Sequence, residues 1–499
     1  MLSSIERFLK MWRFQSNFFF CQNPRQFAKK IIFYCFLFLF AILIVRAFGI
    51  HKYFSGYVFM EWMVNYKGGF VRRGLTGEIF LYLQEHYGLD VYRIAQKFAH
   101  LTYLVFSGWY ILKIKKCKKI MNCESLMAVL FLPSLVLFPL NDVNVIGRKD
   151  FLFLFGLLIN LYFLQKTSTC IQLNSNLKAS IDRYCHHLFF AYNLLSIPTA
   201  LSHEAILFLS IPLNTIITAT WIGAYFSKKE VLKRTFLIYF PTVSIAFLCL
   251  FFKGNYATAL AICQSWQSYS HIHPNLAANC TEKLPEILRF FDISFKKLLL
   301  ENLSKNVMRD RGLAFILWTT VFGANIIILM RASSQISIEA IENIQSKNPE
   351  DDRFSRSDSA MHILASFSFK YAFIPFLCSI VLYIVALDWG RWFFVIFISY
   401  IICCVSPALI QLETFSYSQN RWILRWLSPL YLPYSRAFIF LFRAQFVQKI
   451  YSVYSIGLFY TLFFVRVPHT NIQLNDLYRG LGYTFSRILS YVLNILGLN

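Results

Sequence analysis

Long uncharged apolar runs separated by short polar or basic segments set the pattern of this chain. Each run is roughly 16 to 22 residues, close to the 20 that a helix needs to cross hydrocarbon. The runs fall at about 31–50, 98–112, 124–140, 151–165, 235–252, 312–330, 371–387, 393–411 and 450–465. The stretch 186–226 is too long for one crossing; Pro198 and the polar triplet Ser202, His203, Glu204 interrupt it, so it is read as two helices. The pattern predicts an all-α, polytopic integral membrane protein with about eleven transmembrane helices, within a range of ten to twelve, and amphipathic helices in its outer loops. Composition agrees, with 57% hydrophobic and 15% charged residues and a mean hydropathy of +0.50, which exclude a soluble enzyme. Most of the 54 Phe and 28 Tyr suit lipid-facing surfaces and interfacial belts.

Charge orients the runs. Residues 1–30 are basic and precede the first run, so they are expected in the cytoplasm, with the first run a retained anchor rather than a signal peptide. The lysines at 113, 115, 116, 118 and 119 fix the next loop inside. Parity then makes 51–97 and 253–311 outer loops and 331–369 a cytoplasmic loop, within one transmembrane domain spanning 31–466. The local charge bias of 253–311 opposes that assignment, although long loops obey the rule poorly. The tail 467–499 is read as an interfacial helix or an extra span. The formal charge of +24 reflects mainly basic cytoplasmic loops, so no nucleic-acid partner is expected. The twelve cysteines form no CxxC pair or Cys/His spacing, so no metal site is expected. Cys263 and Cys280 are the one pair suited to a disulfide, provided their segment faces an oxidising compartment.

Four polar clusters fall on the predicted outer face. NYKGGFVRRGLTGEI sets Gly68 and Gly69 beside Arg72 and Arg73, where exposed backbone N–H groups and two guanidinium forks suit pyrophosphate. The alternative is an interfacial loop whose arginines reach lipid headgroups. NDVNVIGRKD supplies Asp142, Arg148, Lys149 and Asp150; the competing role is a solvated turn closed by an Arg/Asp pair. His203 and Glu204 suit either a general base or a helix cap. In DWGRW, Asp388 and Arg391 either join a site or neutralise each other. Positive charge on an outer face runs against the orientation rule, and an anionic substrate there accounts for Arg72, Arg73, Arg148, Lys149 and Arg391.

An aromatic-rich polytopic chain with arginines and a few acids in outward loops resembles the bacterial O-antigen and capsule repeat-unit polymerases, and more distantly the C-type lipid-linked-sugar glycosyltransferases. The resemblance is architectural and matches no family-defining motif; the acid usual in the first outer loop of C-type enzymes has only Glu61 as its counterpart. It implies a surface-polysaccharide polymerase of the bacterial inner membrane, with a cytoplasmic N-terminus, acting at the periplasmic face on polyprenyl-pyrophosphate-linked oligosaccharide. Partners would be membrane lipid and a chain-length regulator or envelope assembly proteins. The arginines, with Gly68 and Gly69, would hold pyrophosphate, and one of Glu204, His203, Asp150 and Asp388 would deprotonate the acceptor hydroxyl. No P-loop, Rossmann or nucleotide-sugar signature is present, so no cofactor is expected. Two other readings compete: a transporter or flippase for a lipid-linked or anionic solute, and a non-catalytic envelope-assembly scaffold.

Overall fold

The computed structural model describes residues 24–49, 56–141, 143–173, 177–267, 269, 280, 282, 284–310, 312–345, 357–386, 388–419, 422–442, 455, 457–468 and 472–480. Asp142, most of the basic N-terminal segment and most of the tail from 467 lie outside them. The described residues form helices joined by turns and irregular segments, and none of them is in a strand. Among them six helices are long and apolar enough to cross a membrane, or seven if one bent pair is a single span. This is the architecture of a multi-pass membrane protein.

The helices are α1 Pro24–Gly49, α2 Gly56–Met63, α3 Gly74–Tyr87, α4 Val91–Cys117, α5 Cys123–Phe131, α6 Asp150–Leu173 and α7 Leu177–Ser202. They continue as α8 Ile206–Leu209, α9 Ile211–Gly223, α10 Lys228–Phe251, α11 Tyr256–Gln267, α12 Phe295–Asn302 and α13 Leu313–Gln345. α14 Ser357–Ser368, α15 Ile374–Val385, α16 Trp389–Cys404, α17 Pro407–Gln419 and α18 Ser428–Phe442 follow, and short helices also stand at Phe138–Asn141, Glu286–Arg289 and Trp422–Trp426.

Helix ends depart from the apolar runs for local reasons. The run 124–140 is not one helix: α5 stops at Phe131, because Pro133 lacks an N–H and drives Leu132 into an extended conformation. The run 186–226 breaks after Ser202, as its polar triplet predicts, but α7 passes through Pro198. α13 continues to Gln345 and α14 begins at Ser357, so much of the predicted 331–369 loop is helical. Apolar runs mark hydrocarbon, whereas a helix ends only where its backbone hydrogen bonds end. α16 and α17 meet at a 76° bend.

Two hydrophobic cores divide the structure. The larger fills the bundle of α1, α4–α10, α13 and α15–α17. The smaller joins the two predicted outer loops, packing Phe59, Trp62, Val71 and Phe80 against Ile262, Trp266, Leu288 and Phe291. Hydrogen bonds from Trp266 Nε1 to the Met63 carbonyl (2.9 Å) and from the Arg72 N–H to the Phe252 carbonyl (3.0 Å) tie these halves into one cap. The Cys263–Cys280 disulfide lies inside it. α12 belongs to the same end; Ser294 caps it and it carries Lys296 and Lys297 beside Leu299 and Leu300, the expected amphipathic outer-loop pattern.

Candidate functional site: a charged cavity between cap and bundle

Between the cap and the bundle lies a cavity of about 380 Å³. Its charged wall draws on both bodies: Glu61, Arg72 and Arg73 from the cap, with the Glu301–Lys305 pair at the end of α12; Arg148, His203, Glu204, Asp388 and Arg391 from helix ends of the bundle. Its apolar wall includes Phe290, Leu298, Leu382, Val385 and Trp392.

Each arginine is held by a carboxylate. Glu204, in the break between α7 and α8, accepts from Arg73 Nη2 (2.7 Å) and Nε (2.9 Å) and from Arg72 Nη1 (3.2 Å). Arg73 has φ 69°, a left-handed conformation uncommon for a residue with a side chain, just before α3. Glu61 accepts from Arg148 Nη1 at 2.6 Å. Arg391, 1% exposed, donates from Nε and Nη2 to the two oxygens of Asp150, both at 2.8 Å, and from Nη1 to Asp388 at 2.5 Å. Tyr57 and Trp392 lie against Arg148 and Arg391, their ring centroids 4.7 and 4.8 Å from the guanidinium carbons.

His203 lies between the carboxylates, Nε2 3.6 Å from Glu61 and Nδ1 3.8 Å from Glu204. The Ala205 N–H donates to Nδ1 at 3.3 Å, which assigns the ring proton to Nε2, facing Glu61. Burial, reinforced by Arg73, pushes the imidazole well below its ordinary range, so it is neutral at neutral pH. Burial alone would raise both glutamates, but the guanidinium charges prevail: Arg148 and Arg391 lower Glu61, and Arg73 and Arg72 lower Glu204.

The cavity wall therefore gathers Arg72, Arg73, Arg148, His203, Glu204, Asp388 and Arg391 from four separate sequence clusters. Others of the predicted set lie behind it. Asp150 is wholly buried with both oxygens on Arg391, so it positions that arginine and has no open face for an acceptor. Lys149 is also wholly buried, donating to Thr76 Oγ1 (2.8 Å) and the Ser202 carbonyl (3.3 Å) beside the Trp62 ring; burial pushes its ammonium down to about 7. Gly68 and Gly69 are not lining residues. Gly68 presses on α11, where a Cβ would stand 2.6 Å from the Thr258 carbonyl, and Gly69 turns the chain at φ 97°. These glycines serve close packing of the cap, which Gly-rich spacing alone does not separate from phosphate binding.

Sequence reasoning gave Glu61 no place among the catalytic candidates. Its signal was a single carboxylate in the otherwise uncharged GYVFMEWM segment, and it is only 1% exposed. A second buried ionic group was also missed. Lys370, in a π-helical turn between α14 and α15, donates to both oxygens of Glu413 (2.9 and 3.1 Å), which also accepts from the Tyr371 hydroxyl (2.6 Å). Comparison of the chain with protein-family models, with curated proteins and with solved structures finds no match in any of the three.

Proposed function

We propose that the chain is a membrane glycosyl-transfer enzyme acting at the outer face of the bacterial inner membrane on polyprenyl-pyrophosphate-linked glycans, as a surface-polysaccharide repeat-unit polymerase. The observation that carries this reading is the cavity, where four arginines, a lysine, a neutral imidazole and four lining carboxylates face an apolar wall. Such a site combines the needs of glycosyl transfer from a lipid pyrophosphate. Guanidinium groups stabilise charge developing on the departing pyrophosphate, and an apolar wall accommodates its lipid-proximal portion. The acceptor hydroxyl attacks the anomeric carbon, that carbon's bond to the phosphate oxygen breaks, and the polyprenyl pyrophosphate leaves with the electron pair. The hydroxyl proton passes to one of Glu204, His203 and Asp388.

Orientation follows from charge and redox chemistry. α4 runs from the cap to Lys115 and Lys116, and α10 starts at Lys228 and Lys229, so the basic clusters lie at the end of the bundle remote from the cavity. The positive-inside rule assigns that end to the cytoplasm, with the N-terminus. The disulfide at the cavity end fits an oxidising compartment. In this arrangement about eleven crossings are reached by adding α4, α7 and shorter segments to the most apolar spans. Deleting the gene tests the function: lipid-linked single repeats should still reach the surface while long chains disappear, and loss of all surface glycan would exclude polymerisation.

A transporter is the second reading, favoured by the buried Lys370–Glu413 pair, which ties the π-turn to α17, one arm of the 76° bend where a moving helix would hinge. Accumulation of repeats on the cytoplasmic side after gene deletion would select it.

A further inference from the structure

Arg72 and Arg73 share one carboxylate, and the balance of charge in the cavity makes that sharing informative. The four arginines 72, 73, 148 and 391 are matched by Glu61, Glu204, Asp150 and Asp388, and the half-exposed Lys305 by Glu301. An anionic ligand therefore enters a site whose cations are already neutralised, and it gains full ionic contact only if a carboxylate yields its place. The four acids that hold the arginines differ in their freedom to do so. Asp150 is fully buried with both oxygens on Arg391. Glu61 is held by Arg148 at 2.6 Å and faces His203 and Arg73 at 3.6 and 3.9 Å. Asp388 can leave without freeing a cation, since Arg391 keeps Asp150. Glu204 differs: it borders the cavity, sits in the break between two helices, and its departure releases two guanidinium groups together, leaving Arg72 without a carboxylate among the described residues and Arg73 with only Glu61 at 3.9 Å. Arg72 Nε, buried and without a hydrogen-bond partner, adds an unused donor there.

We propose that Glu204 is a resident counter-ion occupying the anion subsite of Arg72 and Arg73, and that the ligand's pyrophosphate displaces it from both guanidinium groups. The inference rests on the proposed function, because it takes the ligand to be a pyrophosphate, lipid-linked or free. It carries a counter-intuitive sign: removing the charge of Glu204 tightens ligand binding, whereas the equal charge change at Asp388, which frees no arginine, does so much less.

The test uses the full chain in nanodiscs, with inorganic pyrophosphate and farnesyl pyrophosphate as probes and calorimetry to read Kd. Glu204→Gln should tighten binding by about tenfold, as expected when two charge-assisted contacts lose their internal competitor, and Asp388→Asn by less than about threefold. A gain with both probes supports the exchange with the phosphates alone as ligand; a gain confined to the farnesyl probe supports it with a lipid-linked source. Equal gains in the two variants would reduce the effect to a general field and overturn the proposal, as would weaker or unchanged binding in Glu204→Gln. In wild-type protein, carbodiimide labelling of Glu204 followed by mass spectrometry should rise when pyrophosphate is added; unchanged or reduced labelling counts against displacement and keeps the test open to a Glu204→Gln that does not fold. If the probes bind and Arg72→Lys or Arg73→Lys weakens them while Glu204→Gln has no effect, the counter-ion idea alone fails. If neither probe binds wild type or Glu204→Gln, the pyrophosphate reading of the cavity falls with it.

Discussion

Asp150→Asn separates a buried structural ion from a catalytic acid. In the wild type, Arg391 meets both oxygens of Asp150 at 2.8 Å, and the two residues are 1% and 0% exposed. For charge centres about 4 Å apart at an effective dielectric near 20, their attraction is about 4 kcal/mol before desolvation. Asn keeps the shape but accepts through one oxygen and carries no charge, leaving Arg391 with Asp388, whose side chain is 21% exposed, as its remaining anionic partner. Breaking a buried pair from one side costs about 3–5 kcal/mol, and the surviving contact to Asp388 puts the expectation at the lower end, near 3. Reversible unfolding in mixed detergent–SDS micelles gives the stability, and a cycle with Arg391→Met gives the coupling. Arg391→Met, which leaves the wholly buried Asp150 without its partner, should be the most destabilised protein of the cycle, and the double variant should recover about 1–3 kcal/mol of that loss because Asp150 no longer carries a buried unpaired charge. Strictly additive losses would refute the pairing argument. Full stability with abolished polymer formation would return Asp150 to a catalytic role.

Arg72→Lys and Arg73→Lys preserve charge but lose the planar fork, so each should sharply reduce long glycan chains on gels at unchanged protein level; normal ladders in both would assign these arginines to anchoring. Gly68→Ala brings a Cβ to 2.6 Å from the Thr258 carbonyl and should destabilise the cap by about 1–3 kcal/mol in the same SDS titration. On a cysteine-less background, an impermeant thiol reagent should reach cysteines placed at exposed Lys67 and Lys297 from outside the cell, and one at exposed Lys116 only after the cells are broken. Lys149 is held near 7 in the fold against an ordinary value near 10.4, so the unfolded chain binds an extra proton between those values. Stability should therefore rise with pH from about 7 towards 10, and Lys149→Met should flatten that rise; an unaltered slope in the variant would remove Lys149 as its source.

The sequence by itself determined the medium and much of the vertical order. Runs such as 312–330 and 235–252 are too apolar and too long for any other setting, and the basic ends of α4 and α10 mark one end of the bundle, because transfer free energy and loop charge are nearly additive along a chain. The Ser202, His203, Glu204 break was legible for the same reason: polar groups interrupt an apolar run wherever they stand. Tertiary structure decided which charges meet. Nothing in the spacing of Glu61, Arg148 and His203 pairs them across intervals of 87 and 142 residues, nor shows that Asp150 turns inward to Arg391 while Asp388 borders the cavity. Even the glycines beside Arg72 took their meaning from Thr258, on a helix that the sequence does not bring near. Hydrophobicity is a property of each residue and can be read one position at a time; an ion pair or a close backbone approach belongs to two positions at once, and only packing chooses the partner.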